Sequence, residues 1–378
     1  MKILYVVQNF RQGWGGGPES VRLMANLLAP RGISADVFDL GRFRRNIETL
    51  ELLPEPGRAA EPFPLDTAPD YDAILIVGPW QNAAQLGPLL KRRPDGQQML
   101  YLPRGGLGRI EFSRLRDLKK IPYFHLIERR LLDRSGGIVF SSEVERDHSI
   151  AAARRRAPEW VIPDFFDSPD LTAPAAAQAA ERAEGAGEGD RPLTLSFLAE
   201  ISPRKGLLPL VEGFAAWAAA RPSGSRPVRL VVGGAPRAGS ERYLAAVHAV
   251  QRRHAGRADI EFVGPVAHGD RQRFYADTDV MVVSSLFESY GLTVLEALSA
   301  GCATLAAPDL GVLEYLPAYS RLTIARGAAA ADFEAALGPA AASAEAGGRE
   351  ATRSYAAAAI AAINARALAA WTELLGGT

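Results

Sequence analysis

Short, continuously apolar runs rich in β-branched residues recur along this chain, and each breaks into a glycine-, proline- or acid-bearing loop before helical sequence resumes. Runs of this kind suit strands buried on both faces, as in a parallel sheet covered by helices. One series comprises Lys2–Val7, Ala35–Leu40, Ala73–Val77, Leu100–Leu102, Gly137–Ser141 and Trp160–Pro163. A second comprises Leu193–Leu198, Val228–Val232, Ile260–Val263, Val280–Ser285 and Ala303–Ala306. Residues 169–190 separate them with an alanine-, glycine- and glutamate-rich stretch that reads as a linker. The alternation predicts an α/β chain of two parallel-sheet domains, residues 1–168 and 191–353. An alanine-rich helix over residues 354–378 is too apolar to stand in water, and is expected to pack back through Trp371 and Leu375.

Bulk properties exclude several classes. Lys plus Arg and Asp plus Glu both number 43, so no global field draws nucleic acid. The single cysteine, Cys302, rules out an intramolecular disulfide and fits a reducing, cytoplasmic setting; in Ala-Gly-Cys-Ala-Thr it reads as a small buried residue. The amino-terminal apolar run is a strand, too short for a signal peptide. No uninterrupted apolar run approaches the roughly 20 residues of a membrane span.

Chemistry concentrates in residues 279–301. The strand Val280–Ser285 leads into a loop carrying Glu288, Gly291 permits a sharp turn, and a helix begins near Thr293 and stops at Gly301. Glu288 then lies at the mouth of the helix and Glu296 one turn inside it. The helix start offers unpaired backbone N–H groups suited to a ligand oxygen. The plain alternative is a solvated loop acid and a helix-face charge. Against it stands Glu296, flanked by Val294, Leu295, Ala297 and Leu298, where a carboxylate is costly without a hydrogen-bonding partner. Lys205 follows a strand and precedes a helix, a place from which its charge could reach a diphosphate; a surface lysine is the other reading.

Other signals are weaker. Gly13–Gly17 begins too far beyond Val7 for a dinucleotide fingerprint, and Pro18 takes the third glycine position. The triplets Asp70-Tyr-Asp72 and Asp277-Thr-Asp279 both precede strands, and the five histidines show no ligand spacing, so no bound metal or other cofactor is expected. Residues 91–156 hold 16 Lys/Arg against 8 Asp/Glu. This is either a solvated helical surface or a peripheral contact for anionic membrane or a phosphorylated acceptor.

Taken together, Phe287-Glu-Ser-Tyr-Gly-Leu-Thr-Val-Leu-Glu296, Ser202-Pro-Arg-Lys-Gly206, Val232-Gly-Gly234, Phe262–Val266 and Gly16-Gly-Pro-Glu19 resemble the retaining GT-B glycosyltransferases called family 4 or group 1. The resemblance covers nearly the whole chain and is densest over 193–313. It implies two Rossmann-like domains facing across a cleft, a nucleotide-sugar donor on the second domain, and a sugar or lipid-linked sugar acceptor on the first. Glu288 would hold donor-sugar hydroxyls beside the amides of Gly291, Leu292 and Thr293. Glu296 would bind the ribose, and Lys205 the diphosphate. Gly264 and Val266 would face the base, and Gly16 and Gly17 the diphosphate. Arg104, where many relatives have histidine, would contact the acceptor or the transition state. Trp160–Asp164 looks like the segment closing the first domain, with Asp164 where asparagine is commoner. The family's Gly-Arg pair is replaced by Ala199-Glu200, so Glu200 must turn away or Arg204 must compensate. A sugar-nucleotide epimerase and an inactive sugar-nucleotide binder would share these motifs. The setting implied is envelope or exopolysaccharide assembly.

Overall fold

The computed structural model describes residues 1–7, 16–39, 49–51, 62–64, 71–78, 97–109, 120–154, 156–167 and 191–376. The loop residues 13–15, the basic triplet 91–93 and the linker 169–190 lie outside them. Two compact units form: Met1–Phe166 with Ile363–Thr378, and Asp167–Ala362.

The first unit is built on six parallel strands. They are β1 (Lys2–Val7), β2 (Ser34–Asp39), β5 (Ala73–Val77), β6 (Gln98–Leu102), β7 (Gly137–Phe140) and β8 (Glu159–Val161), ordered β2-β1-β5-β6-β7-β8. A separate antiparallel pair joins β3 (Thr49–Glu51) to β4 (Pro62–Pro64). Side chains alternate across the sheet, and both faces are buried. Ile3, Tyr5 and Val7 pack with Val21, Met24 and Leu28 of the Gly16–Leu28 helix, whereas Leu4 and Val6 pack with Phe124, Leu131 and Leu132. Double burial is why these strands carry no polar alternation.

The second unit repeats the plan with β9 (Leu193–Leu198), β10 (Val228–Gly233), β11 (Asp259–Gly264), β12 (Val280–Val283), β13 (Ala303–Ala306) and β14 (Leu322–Ile324). All neighbours are parallel, and the order is β11-β10-β9-β12-β13-β14. The chain winds outward from β9 to β11, then returns to β12 on the other side of β9. That reversal makes the carboxyl ends of β9 and β12 a topological switch point, where open α/β sheets bind ligands.

The last acid of each aspartate triplet works at the opposite, amino edge; Asp70 lies outside the described residues. Asp72 accepts a hydrogen bond from the Lys2 amide at 2.6 Å, and Asp279 from the Thr194 amide at 2.9 Å while paired with Arg191. In each unit an acid before one strand fixes the start of the unit's first strand. Cys302 is fully buried, and burial pushes its thiol above the ordinary value.

Three elements add to the sequence reading. The first helix begins at Gly16, with Pro18 inside its first turn where a missing N–H is tolerated. β14 is three residues long, too short to show a period. The terminal helix spans Arg349–Gly376, and over this length its composition does reach that of a membrane-spanning helix. Alanine among the polar residues raises its mean hydropathy, so counting uninterrupted apolar residues misses it. Its buried side chains, Thr352, Ala356, Ala359, Ile363, Ala367, Trp371 and Leu375, recur every three or four residues as one stripe. Ala367, Trp371 and Leu375 enter the first unit's core beside Val139 and Phe165. Trp371→Ala is expected to cost roughly 3–5 kcal/mol, the usual range for emptying a buried tryptophan site. Chemical denaturation measures it, and a loss below about 1 kcal/mol would show that the tail contributes little to that core.

Candidate active site

In the second unit, backbone contacts bring the loops after β9 and β12 together before any side chain is considered. Gly206 ends a short turn, Pro203–Lys205, in the left-handed region at φ 67°, and a β-carbon there would collide with the Ser284 carbonyl oxygen. The Ser284 hydroxyl donates to the Lys205 carbonyl at 3.0 Å, and the Leu286 amide to the Arg204 carbonyl at 2.8 Å. Glu288 is tied to the next loop, its amide donating to Asp309 O at 3.0 Å and its carbonyl accepting from Gly311 N at 3.2 Å.

These contacts direct Arg204, Lys205 and Glu288 at one another. Glu288 Oε1 accepts from Lys205 Nζ and from the Ser285 hydroxyl at 2.7 Å, and Oε2 faces Arg204 Nη1 at 3.5 Å. Burial by itself would raise this carboxyl, but the Lys205 and Arg204 cations, with the Lys205 and Ser285 donors, outweigh it and hold it below its ordinary value. A carboxylate so engaged is a weak proton acceptor. It can, however, exchange its cations for hydroxyl partners when an anion claims Lys205 and Arg204.

Glu296 lies in the Leu292–Ser299 helix, which starts after Gly291 at φ 101°. Its Oε2 accepts from the buried Tyr275 hydroxyl at 2.6 Å, and its Oε1 faces Arg271 Nη1 at 3.3 Å. These partners meet the requirement that a carboxylate amid valine and leucine imposes. Arg271 and Tyr275 are four residues apart on one helix face. Sequence reading passed over them, and over Ser285, although the i,i+4 spacing was visible. Gly264 closes β11 at φ 74° with Val266 just beyond, on the same carboxyl edge. That edge therefore gathers every donor-binding candidate of the second unit.

Glu200 turns away from this group. The Ile201 amide donates to Ala235 O and the Arg237 amide to Ile201 O, so Glu200 lies beside Arg237, with an ion pair at 3.9 Å between two exposed side chains. Arg204 is thereby free of Glu200 and goes to Glu288 instead.

In the first unit, Gly16 and Gly17 open the Gly16–Leu28 helix. Arg104 follows β6 as the first central residue of a turn closed by Gly106 N→Pro103 O at 3.0 Å, with φ 50° and Gly105 at φ 78°. Left-handed backbone costs a residue with a β-carbon about 1–2 kcal/mol. Its guanidinium is paired with the buried Asp164. Of the basic stretch, Arg129 and Arg156 pair with Asp133, Arg146 with Glu143 and Asp147, and Arg154 with Asp147. Ile121 and Leu126 stand exposed in the same region.

Two parallel Rossmann-like units, with polar groups gathered at the carboxyl edges, define the GT-B class of α/β protein. Solved structures of that fold match along the whole chain. They include sucrose-phosphate synthase from Thermosynechococcus elongatus, at 18% identity and TM-score 0.70 with all of both chains covered. HepE from Anabaena, solved with UDP and glucose, matches at 19% and 0.65, again over all of both chains. A UDP-forming α,α-trehalose-phosphate synthase from Burkholderia xenovorans, solved with glucose-6-phosphate, matches at 14% and 0.68, covering 98% of each. Residues 192–338 match the family model described as Glycosyl transferases group 1, which spans β9 to β14 and the whole Lys205–Glu288 site. No sequence among the curated proteins matches the chain.

Because its folded value lies below the ordinary one, the Glu288 carboxylate adds stability above about pH 4.3 and loses it as pH falls through the folded value. Glu288→Gln should accordingly lose less thermal stability than the parent between neutral pH and about pH 3. Identical pH dependence in the two proteins would contradict the ion-paired assignment.

Proposed function

We propose that the protein transfers a glycosyl group, most simply a hexosyl group, from a nucleotide-sugar donor to an acceptor hydroxyl with retention of anomeric configuration. The observation carrying this reading is the convergence of Lys205, Arg204 and Glu288 at the β9/β12 switch point, within the segment matching group 1 glycosyl transferases. UDP with glucose in the HepE structure, and glucose-6-phosphate in the trehalose-phosphate synthase, support a nucleoside diphosphate sugar and a sugar acceptor.

In this reading the donor diphosphate takes Lys205 and Arg204 from Glu288, and the freed carboxylate accepts from donor-sugar hydroxyls. Glu296 receives the ribose, Gly264 and Val266 the base, and the amides of Gly291, Leu292 and Thr293 the sugar or its phosphate. From the first unit, Gly16 and Gly17 serve the diphosphate and Arg104 the acceptor or transition state. The anomeric C–O bond to phosphate breaks as the bond to the acceptor oxygen forms on the same face, and the acceptor proton passes to the departing phosphate oxygen. The depressed Glu288 carboxyl favours that route over a protein base. The protein contributes placement and charge stabilisation, and we expect transfer to survive chelation. The outward turn of Glu200 supports activity over an inert binder.

Lys205→Ala should weaken nucleoside diphosphate binding about ten- to a hundredfold, the value of a charge-assisted bond of roughly 1.5–3 kcal/mol. Arg204→Ala should weaken it less, and Glu200→Ala should change it by less than about threefold, as exposed substitutions do. Glu288→Gln should abolish most transfer without weakening the diphosphate. Calorimetry across a panel of nucleoside diphosphates, with NMR of the product anomer, checks these. Full affinity in a Lys205→Ala, Arg204→Ala double variant removes the phosphate assignment, an inverted anomer removes retention, and donor epimerisation without acceptor installs the epimerase reading.

We further propose a cytoplasmic enzyme of envelope or exopolysaccharide synthesis. The exposed Ile121 and Leu126, in a stretch rich in Lys and Arg, suit peripheral contact with an anionic membrane that would present a lipid-linked acceptor. Sedimentation with anionic vesicles should fall steeply between low salt and 1 M, where screening shortens to about 3 Å. Equal binding to neutral vesicles would leave these residues as ordinary solvated surface.

A further inference from the structure

Arg104 is the one non-glycine residue with positive φ among the described residues, and it stands on a turn whose surroundings are unusually charged. Three elements meet its turn. Asp164, beyond β8, pairs with Arg104 Nη1 and also accepts from the Ser20 hydroxyl of the Gly16–Leu28 helix. Glu145, fully buried in the Glu143–His148 helix beyond β7, accepts from the Gly105 amide with one oxygen. With the other it accepts from the Ser141 amide at 2.7 Å and the Ser141 hydroxyl at 2.8 Å. The buried hydroxyl of Tyr5, on β1, completes the group.

We infer that Asp164 and Glu145 are the positioning residues of Arg104, one holding its guanidinium and the other its turn, so that a strained arginine is presented in a single orientation. Neither carboxylate is needed merely to fill space, and each is costly in a buried place unless it holds something. Burial pushes both carboxyls up, with the Arg104 charge acting against that in each. Two buried carboxylates around one cation also leave no surplus positive charge. Arg104 then acts by directed N–H donation to a hydroxyl, while phosphate recognition falls to the less heavily countered pair Arg204 and Lys205. Through the Ser20 hydroxyl Asp164 also touches the helix that Gly16 and Gly17 begin.

This inference rests on the transferase reading for its kinetic part, and a labelling measurement tests it independently. In folded parent protein, Arg104 should react with phenylglyoxal at least tenfold more slowly than in Asp164→Asn, as followed by peptide mass spectrometry. Glu145→Gln, which retains the shape and removes the charge, should also accelerate labelling, and circular dichroism with thermal unfolding confirms that each variant is folded. In transfer assays, Asp164→Asn should lower kcat at least tenfold with donor KM within about threefold. Combining it with Arg104→Ala should lower kcat no further than Arg104→Ala alone. Labelling at the parent rate in both variants, or additive losses in the double variant, would overturn the assignment. Slow parent labelling and fast variant labelling, in a protein transferring no sugar from any nucleotide donor, would uphold the clamp and remove the transferase reading instead.

Discussion

The close approach of Gly206 to the Ser284 carbonyl is the contact on which the rest of the candidate site depends. It lets the loop after β9 lie against the end of β12, and two hydrogen bonds to main-chain carbonyls, from Ser284 and Leu286, hold it there. Placement of Lys205 and Glu288 is therefore a backbone matter. Their mutual ion pair adds to a geometry that already exists, so it can open toward a ligand without the loops separating. A site assembled by the ion pair alone would lose its shape when an anion took the lysine.

The two units divide labour between the edges of their sheets in the same way. At the amino edges Asp72 and Asp279 anchor the starts of β1 and β9 through the Lys2 and Thr194 amides, and Asp279 also pairs with Arg191. At the carboxyl edges stand the residues with perturbed charge environments: Glu288 in one unit, Asp164 and Glu145 in the other. Parallel strands cause this asymmetry, because each crossover returns the chain to the amino edge and leaves the loops after the strands free to carry polar groups.

These three carboxylates differ in what surrounds them. Glu288 has two cations and a hydroxyl, and its carboxyl falls below the ordinary value despite burial. Asp164 has one guanidinium and Glu145 chiefly amide donors, and for both burial wins. A carboxylate beside two releasable cations is poised to exchange partners, whereas one that spends its oxygens on a strained turn is suited to hold still.

The sequence by itself determined the strands of the two parallel sheets apart from β14, and the identity of the donor-site candidates, because double burial leaves continuous apolar runs and the Lys205 and Glu288–Glu296 motifs are local. Even the environment of Glu296 was partly legible, since an acid among valine and leucine demands a partner. Only the tertiary structure decided which distant residues meet. Lys205 and Glu288 are 83 positions apart, and they touch because the sheet order sets β12 beside β9, which no period in the sequence encodes. The same holds for Glu200, carried to Arg237 by the bridge between Ile201 and Pro236. It holds equally for Arg104, whose left-handed turn is stabilised by acids from two later segments. Local sequence carries propensity and burial pattern, whereas the partner of a charge is chosen by the packing of strands that the chain reaches much later.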